Sequence, residues 1–302
     1  MNIGKIAAIV VTYNRAKLLD KVLAGLTLQS RKLDCVIIVN NASNDNTLEV
    51  IDKYKNINTL NIQTETLSIN TGGAGGFYHG VKVAYELGYD GFWLMDDDTV
   101  PESEALEYLE NDLVLFEQEY TYKPAFVCST VLWHNDDLCE MNIPSPIWDW
   151  PRFLYKNVNV ALVGSCSFVS VLITREKVRL AGYPIKDFFI WYDDVEYTKR
   201  LTNYGYPGIL SIKSKVHHLL GENKGVNYTM ITNENSWKYL YGMRNEVSVL
   251  KRNEGILKAS YVGFCNIKSA FSANISIRTK LKLIKSFLKG FLFKTDIEFP
   301  ER

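Results

Sequence analysis

The sequence lacks the cysteine patterns that organise small secreted or zinc-bound domains. Its five cysteines, Cys35, Cys128, Cys139, Cys166 and Cys265, are odd in number and never in CxxC spacing. That opposes a disulfide framework or a zinc site and fits a reducing compartment. No run of about 18 apolar residues occurs, so no segment is expected to span a bilayer. No signal peptide precedes the strand-like stretch that follows Met1-Asn2-Ile3-Gly4-Lys5, and a cytoplasmic location is expected from this. Neither sign of charge is in excess, with 34 Lys+Arg against 34 Asp+Glu. Basic residues concentrate only near the C-terminus and no recognition motif accompanies them, which argues against nucleic acid as a partner. Internal repeats and low-complexity linkers are absent too.

What is present is the composition of an ordered soluble protein, 47% hydrophobic and 23% charged over 302 residues. That length buries a full core in one large domain with an appendage. Ile6-Ala7-Ala8-Ile9-Val10-Val11-Thr12 and Cys35-Val36-Ile37-Ile38-Val39 are continuous apolar runs, the pattern of strands buried on both faces. Between them Leu18, Leu19, Val22, Leu23 and Leu26 recur at helical spacing, with Asn14 placed to cap that helix. A helix over 46–55, a strand over 59–64, a glycine-rich segment, a helix near 77–88 and the strand Gly91-Phe92-Trp93-Leu94-Met95 follow. Strands alternating with helices predict a parallel sheet with right-handed crossovers. Ligands of such sheets sit beyond the carboxyl ends of the strands, so the polar segments 12–15, 40–45, 70–76 and 96–98 are expected to converge on one crevice.

After residue 120 the pattern changes. Strands are expected over 126–133, 160–163 and 208–216, an irregular stretch holds Trp148 and Trp150, and helices are expected near 174–181 and 193–204. From about 230 the chain reads as helical to its end. The division expected is a catalytic domain over 1–228, with halves of about 1–120 and 121–228, and a helical region over 229–302.

Four motifs carry chemistry. Asp96-Asp97-Asp98 follows a buried strand, with Pro101 suited to a first helical position. Three adjacent carboxylates repel one another unless a cation neutralises them, and a hard divalent cation shared with substrate phosphates does so. A solvated acidic turn is the other reading. Asn70-Thr71-Gly72-Gly73-Ala74-Gly75-Gly76-Phe77 is neither a Walker loop nor a GxGxxG fingerprint. It reads as a flexible loop, or as a backbone cradle at a helix start. Trp191-Tyr192-Asp193-Asp194-Val195-Glu196-Tyr197 sets carboxylates beside aromatic rings at a helix start. That suits a sugar and a general base, or else plain helix-dipole stabilisation. His217-His218 follows a strand, and His218 becomes a metal-ligand candidate once the acidic cluster is considered with it.

In this order the motifs resemble the inverting glycosyltransferases of family two, which have the GT-A fold. Val10 to Arg15 is similar to their opening nucleotide-binding strand, Asn40 to Asp45 to the segment that contacts the base, and Asp96-Asp97-Asp98 to the extended DXD motif. Asn70 to Phe77, Trp191 to Tyr197, Gly205-Tyr206-Pro207 before His218, and Tyr239 to Asn245 most resemble the galactofuranosyltransferases, which use UDP-galactofuranose. The likeness covers roughly residues 5–250. It implies an α/β fold with a mostly parallel sheet flanked by helices and a helical C-terminal extension.

The resemblance also implies roles. Thr12, Arg15 and Asn41 would hold uridine, and Gly72, Gly73, Gly75 and Gly76 would lie against the donor. Asp96 and Asp98, with His218, would hold Mn²⁺ or Mg²⁺ on the diphosphate. Asp194 would be the base, Asp193 would orient the acceptor beside Trp191, Tyr192 and Glu196, and Arg244 would stabilise the departing diphosphate. Asp97 receives no role. Gly164-Ser165-Cys166-Ser167-Phe168 stands where the galactofuran polymerases carry paired tryptophans, and the chain is shorter than theirs. Transfer of one or a few sugars is expected rather than polymerisation.

Residues 277–294 carry six basic residues and no acidic one, with Ile277, Leu281, Ile284, Leu288 and Phe291 at helical spacing. Such a helix suits an anionic membrane surface, where lipid-linked glycan acceptors reside, or packs on protein. The first reading places the protein peripherally on the inner face of the cell membrane. The expected function is transfer of galactofuranose to a lipid-linked cell-surface glycan intermediate. The same scaffold using dTDP-rhamnose or UDP-glucose, and a non-catalytic glycan- or nucleotide-binding protein, are the competing readings. The acceptor and linkage position leave no signature, and nothing in the sequence opposes a homo-oligomer.

Overall fold

A computed structural model describes residues 2–57, 59–120 and 123–301. The first apolar run forms β1 (Ile6–Thr12), buried throughout. Ile6, Ala8 and Val10 enter the core on one face of the sheet, while Ala7, Ile9 and Val11 enter the core on the other. That two-sided burial is why the run does not alternate with polar residues. Then come α1 (Ala16–Thr27), β2 (Cys35–Asn40), α2 (Thr47–Ile57), β3 (Ile62–Thr66), α3 (Gly72–Glu86) and β4 (Gly91–Asp96). β1 pairs in parallel with β2 and with β4, and β2 in parallel with β3. The chain steps outward from β1 to β3 and crosses back to lay β4 on the far side of β1. The gap beyond the ends of β1 and β4 is therefore the topological switch point, where open α/β sheets bind ligands.

The chain continues through β5 (Thr99–Pro101), α4 (Ala105–Glu119), β6 (Val127–Leu132), β7 (Ser145–Pro146), β8 (Val160–Ser165), β9 (Val171–Thr174), α5 (Arg175–Ala181), α6 (Asp193–Thr202) and β10 (Gly208–His218). The sheet order is β3-β2-β1-β4-β9-β6-β10-β8-β7, with β5 on β10. β9 is antiparallel to both β4 and β6, so β6 regains the direction of β4, and β10 is parallel to β6. β5 turns back antiparallel to β10 and sets Thr99 opposite His218. Two residues far apart in sequence thus meet at one edge.

Helices α7 (Ser236–Asn253), α8 (Ile256–Ser272) and α9 (Ile277–Leu292) build a separate core around Met243, Val247, Ala259, Ala270 and Leu283. The chain then returns to the sheet domain, where Tyr183 N donates to Glu298 O at 2.8 Å. Residues 293–301 are not helical, contrary to the expectation of helix to the end.

Three local expectations are corrected. Asn14 does not cap α1; at φ +54° its side chain accepts from Asn44 N at 2.8 Å, and Asp45 Oδ2 takes the Ala16 N–H instead. Pro101 lies in β5, and α4 begins at Ala105. The glycine segment is no loop, because α3 starts at Gly72 and contains all four glycines.

Candidate active site

Asp96 ends β4, and the next two aspartates turn into the switch-point crevice. Arg15, just past β1, donates from Nη1 to Asp98 Oδ2 at 2.7 Å and to Asp97 Oδ1 at 3.2 Å. Asp97 Oδ2 also accepts Tyr13 N at 3.4 Å. Asp97 therefore ties the end of β1 to the end of β4, which supplies the role that the sequence left open.

On the other side, His218 Nε2 faces Asp98 Oδ1 at 3.1 Å and Nδ1 faces Asn142 Oδ1 at 2.7 Å. Asn142 Nδ2 donates to Ser167 Oγ and its oxygen also accepts from Cys139 Sγ, so the amide presents an acceptor to the ring. That fixes the proton on Nδ1 and leaves Nε2 for Asp98 or for a metal ion, the arrangement in which an outer partner orients a ligating histidine. Burial lowers the affinity of His218 for a proton. The Asp98 hydrogen bond, with Cys139 and the charges of Asp98 and Asp96, outweighs burial and pushes its pKa up to about 10. Burial and then the charge of Asp98 push Asp96 up to about 7, and burial carries Asp97 to about 6 against Arg15. Burial also raises Asp98, but the His218 hydrogen bond and the charges of His218 and Arg15 hold it below the usual carboxylate range.

Ligand atoms of Asp96, Asp98 and His218 lie within 4.8 Å of one another. Two carboxylates and one imidazole, with Asp98 and His218 buried and Asp96 half-buried, fit a divalent cation such as Mn²⁺ or Mg²⁺ that also binds phosphate oxygens.

The opposite wall is built from strained backbone. Phe189 sits at φ +67°, ψ −59°, and Ile190 N donates to Phe188 O at 2.8 Å across it. This is a γ-turn of the rare, strained hand. Trp191 and Tyr192 follow at φ +65° and +67°. Left-handed non-glycine residues cost on the order of 1–3 kcal/mol each and persist only where surrounding contacts over-determine them. The product of this strain is the first turn of α6, which holds Asp193 and Asp194. Asp194 Oδ1 accepts Val195 N at 2.7 Å, and burial raises its pKa to about 6 against backbone hydrogen bonds that include Phe168. Asp193 is pushed well above the carboxylate range by burial, then by the charge of Asp194 and, further, that of Asp96. The acidic ends of β4 and α6 are thus close enough to feel one another's charge.

Residues 7–160 match the family described as Glycosyl transferase family 2. The chain belongs to that family. It is 29% identical over 214 residues to the galactofuranosyltransferase GlfT1 of Mycolicibacterium smegmatis, an alignment covering 67% of each chain. Among solved structures it is similar to a mannosyltransferase, PcManGT of Pyrobaculum calidifontis, in complex with GDP-Man and Mn²⁺ (TM-score 0.58, 16% identity, 95% of this chain and 87% of that one). It is also similar to residues 1–349 of S. aureus TarS in complex with UDP-GlcNAc (TM-score 0.55, 17% identity, 95% and 81%). At these identities the structures establish the fold, which is GT-A.

Within this glycosyltransferase several expected site residues have other partners. Asn41 Oδ1 accepts from Thr71 N and Oγ1 while its Nδ2 donates to Gly72 O at 2.9 Å, so the side chain braces the start of α3 rather than facing a base. Thr12 is buried near Asp97, and its hydroxyl meets no hydrogen-bond partner in good geometry among the described residues. The Arg15 guanidinium lies on the aspartates Asp97 and Asp98. At the α3 start the N–H groups of Thr71, Gly72 and Ala74 are taken by Asn41, Asn70 and Phe189 O. The glycines serve close packing: a Cβ on Gly76 would lie 2.3 Å from Val11, one on Gly75 2.4 Å from Thr71, and one on Gly72 2.0 Å from Phe189 O. Only Gly73 of the four faces open space.

Glu196 is not an acceptor contact. It is buried in an ion pair with Arg200, at 3.1 Å from Oε1 to Nε, and Arg200 in turn caps the carbonyls of Ala181 and Tyr183. The Trp191 ring packs edge-on against Tyr239 and over Gly242, and Tyr192 is partly buried with the charge of Glu246 near its hydroxyl. Arg244 donates to Asp187 O and Phe188 O and stacks on Phe293, so its charge is committed to the protein. A cleft of about 790 Å³ opens between the starts of α1 and α2, lined by Arg15, Asp45 and Lys53 among others, but none of the carboxylates from Asp96 to Asp98 or at α6 reaches it. Asn142 and Asn245 escaped the sequence reading of the site. Asn142 ends a single 3-10 turn, Glu140–Asn142, that carries no motif, and Asn245 stands in the sequence only as the end of the segment Tyr239 to Asn245.

Proposed function

We infer that this glycosyltransferase moves galactofuranose from UDP-galactofuranose to a hydroxyl of a lipid-linked glycan intermediate, with inversion at the anomeric carbon. The observation that supports the reading is the Asp96–Asp98–His218 cluster, with the buried Asp193 close enough to Asp96 for that charge to raise its pKa. Similarity to GlfT1 supports the donor sugar. When bound, a divalent cation at Asp96, Asp98 and His218 would neutralise the diphosphate and stabilise charge developing on the leaving group. Asp194 removes the proton of the acceptor hydroxyl as that oxygen forms its bond to the anomeric carbon. The bond from that carbon to the diphosphate oxygen breaks, and UDP leaves with the electron pair. A carboxylate raised to about 6 by burial is suited to this task near neutral pH. Asp193 would orient the acceptor, Arg15, paired with Asp98, would meet the nucleotide end of the donor, and Gly73 is the glycine with open space beside it.

The C-terminal helices support a peripheral membrane position. α9 buries Thr279, Leu283 and Gly290 and leaves Ile277, Leu281, Leu288 and Leu292 exposed beside Arg278, Lys282, Lys285 and Lys289. α8 exposes Leu257, Tyr261, Phe264 and Phe271. Residues 255–295 carry eight Lys/Arg and no Asp/Glu; with a chain total of zero, the remaining residues carry −8. An apolar, basic surface on an otherwise acidic protein complements anionic lipid, each basic residue contributing about 1 kcal/mol near such a surface.

Release of the donor's nucleoside diphosphate (UDP, GDP or dTDP) with Mn²⁺ is the test, across UDP-galactofuranose, UDP-GlcNAc, UDP-glucose, GDP-mannose and dTDP-rhamnose with a lipid-linked acceptor. UDP-galactofuranose is expected to be turned over fastest, and preference for another donor would overturn the sugar assignment. Flotation with phosphatidylglycerol vesicles, wild type against Lys282→Glu/Lys285→Glu/Lys289→Glu, tests the surface. Equal flotation of the two would remove it.

A further inference from the structure

We propose that Asn245, in α7, is the positioning residue that holds the candidate catalytic pair Asp193–Asp194 in place; this rests on the glycosyl-transfer reading above. Asn245 is fully buried. Its Nδ2 lies 3.0 Å from Phe188 O, 2.9 Å from Ile190 O and 2.9 Å from Trp191 O. Its Oδ1 accepts from Arg244 Nε at 2.9 Å, which fixes the amide with its N–H groups toward the three carbonyls. One NH₂ group therefore gathers carbonyls from both sides of the γ-turn at Phe189 and from the left-handed Trp191. These are the residues that set the direction in which α6 begins.

No regular secondary structure supports that stretch, since the short helical turn before it ends at Phe188 and α6 starts at Asp193. Three positive-φ side-chain-bearing residues within four positions form a conformation the chain would leave if its carbonyls were released. The neighbouring contacts act on the same segment from outside: Arg244 reaches Asp187 O and Phe188 O, and Gly72 admits Phe189 O against the start of α3. Asn245 reaches the carbonyls of Ile190 and Trp191, just ahead of the aspartates, while Tyr192 O accepts Glu196 N in the first turn of α6. The metal-site residues stand elsewhere, Asp96 at the end of β4, Asp98 in the turn between β4 and β5 and His218 at the end of β10, and none of them bonds Asn245. Loss of Asn245 should misplace the base while leaving the donor end intact.

The experiment compares wild type, Asn245→Ala and, as a control for lost core volume on the same helix, Val247→Ala. It measures kcat, donor KM, Mn²⁺-dependent UDP affinity and hydrogen–deuterium exchange over 187–194. For Asn245→Ala, kcat should fall about 100-fold, the size of effect that a misplacement near 1 Å produces. Donor KM and UDP affinity should stay within about twofold, with faster exchange over 187–194. Val247→Ala should leave kcat within about twofold at similar lost stability. A fall in kcat of less than threefold for folded Asn245→Ala overturns the proposal, as does parallel loss of UDP affinity or an equal kcat loss in Val247→Ala. Absence of transfer by wild type would sink the functional reading instead. In that case unchanged exchange over 187–194 in Asn245→Ala would overturn the clamp independently.

Discussion

His218 Nε2 lies 3.1 Å from Asp98 Oδ1, although 120 residues separate the two in the chain. The contact exists because β5 folds back on β10 and pairs Thr99 with His218. With Asn142 on the far ring nitrogen, His218 is aimed at the aspartates before any ligand arrives.

Metal dependence follows. His218→Ala and Asp98→Asn are each expected to lower Mn²⁺-supported transfer at least 100-fold, with EDTA abolishing wild-type turnover and added Mn²⁺ restoring it. Asn142→Ala, which releases the ring without removing a ligand, is expected to weaken Mn²⁺ binding about 10–100-fold. Calorimetric titration with Mn²⁺ reads this, and an unchanged affinity in Asn142→Ala would contradict the orienting role.

Asp194→Asn keeps the shape of the α6 start and removes the base. Transfer should fall about 10²–10⁴-fold, while UDP affinity in the presence of Mn²⁺ stays near that of wild type. Loss of both together would mean that Asp194 serves the donor site.

Gly72 and Gly73 should respond differently to the same change. At φ +73°, with a Cβ 2.0 Å from Phe189 O, Gly72→Ala is expected to destabilise the fold by roughly 2 kcal/mol or more. Gly73→Ala meets nothing within 4 Å and should change stability little. Urea unfolding of the two variants decides it; equal midpoints would refute the packing role of Gly72.

Away from the site, Asp112 in α4 is buried, and its pKa is pushed up to about 6 by burial against a Ser211 hydrogen bond and Lys213. Its folded pKa exceeds the unfolded value near 3.9, so the folded state holds the proton more tightly. The stability tied to that proton is complete below about pH 4 and is lost as pH rises to about 6, a change of no more than about 3 kcal/mol. Asp112→Asn should therefore raise the melting temperature at pH 8 and have little effect at pH 4. Thermal melts at both values check this, and an equal shift at the two would disprove the assignment.

Much of the fold was legible because its signals are local. Ile6 to Thr12 and Cys35 to Val39 read as doubly buried strands, and both sides of the sheet do bury them. Glycine left two readings open at 72–76, a loop or a helix start, and the structure has the helix start, because small residues there let α3 approach Val11 and Phe189. Asp96, Asp98 and His218 were grouped by likeness to a family, and the sheet topology supplies the physical cause of their meeting.

By itself the sequence determined the longer strands and helices, though not β5, β7 or β9, and that acidic, histidine and aromatic residues follow them, since periodicity and charge are properties of neighbouring residues. The tertiary structure alone decided which of those side chains remain free for chemistry. Glu196 went to Arg200, Asn41 to the α3 start, and Arg244 to the carbonyls at Asp187 and Phe188. A buried polar group must find a partner. For Asn41 and Arg244 that partner lies about 30 and more than 50 residues away, where no local pattern can announce it.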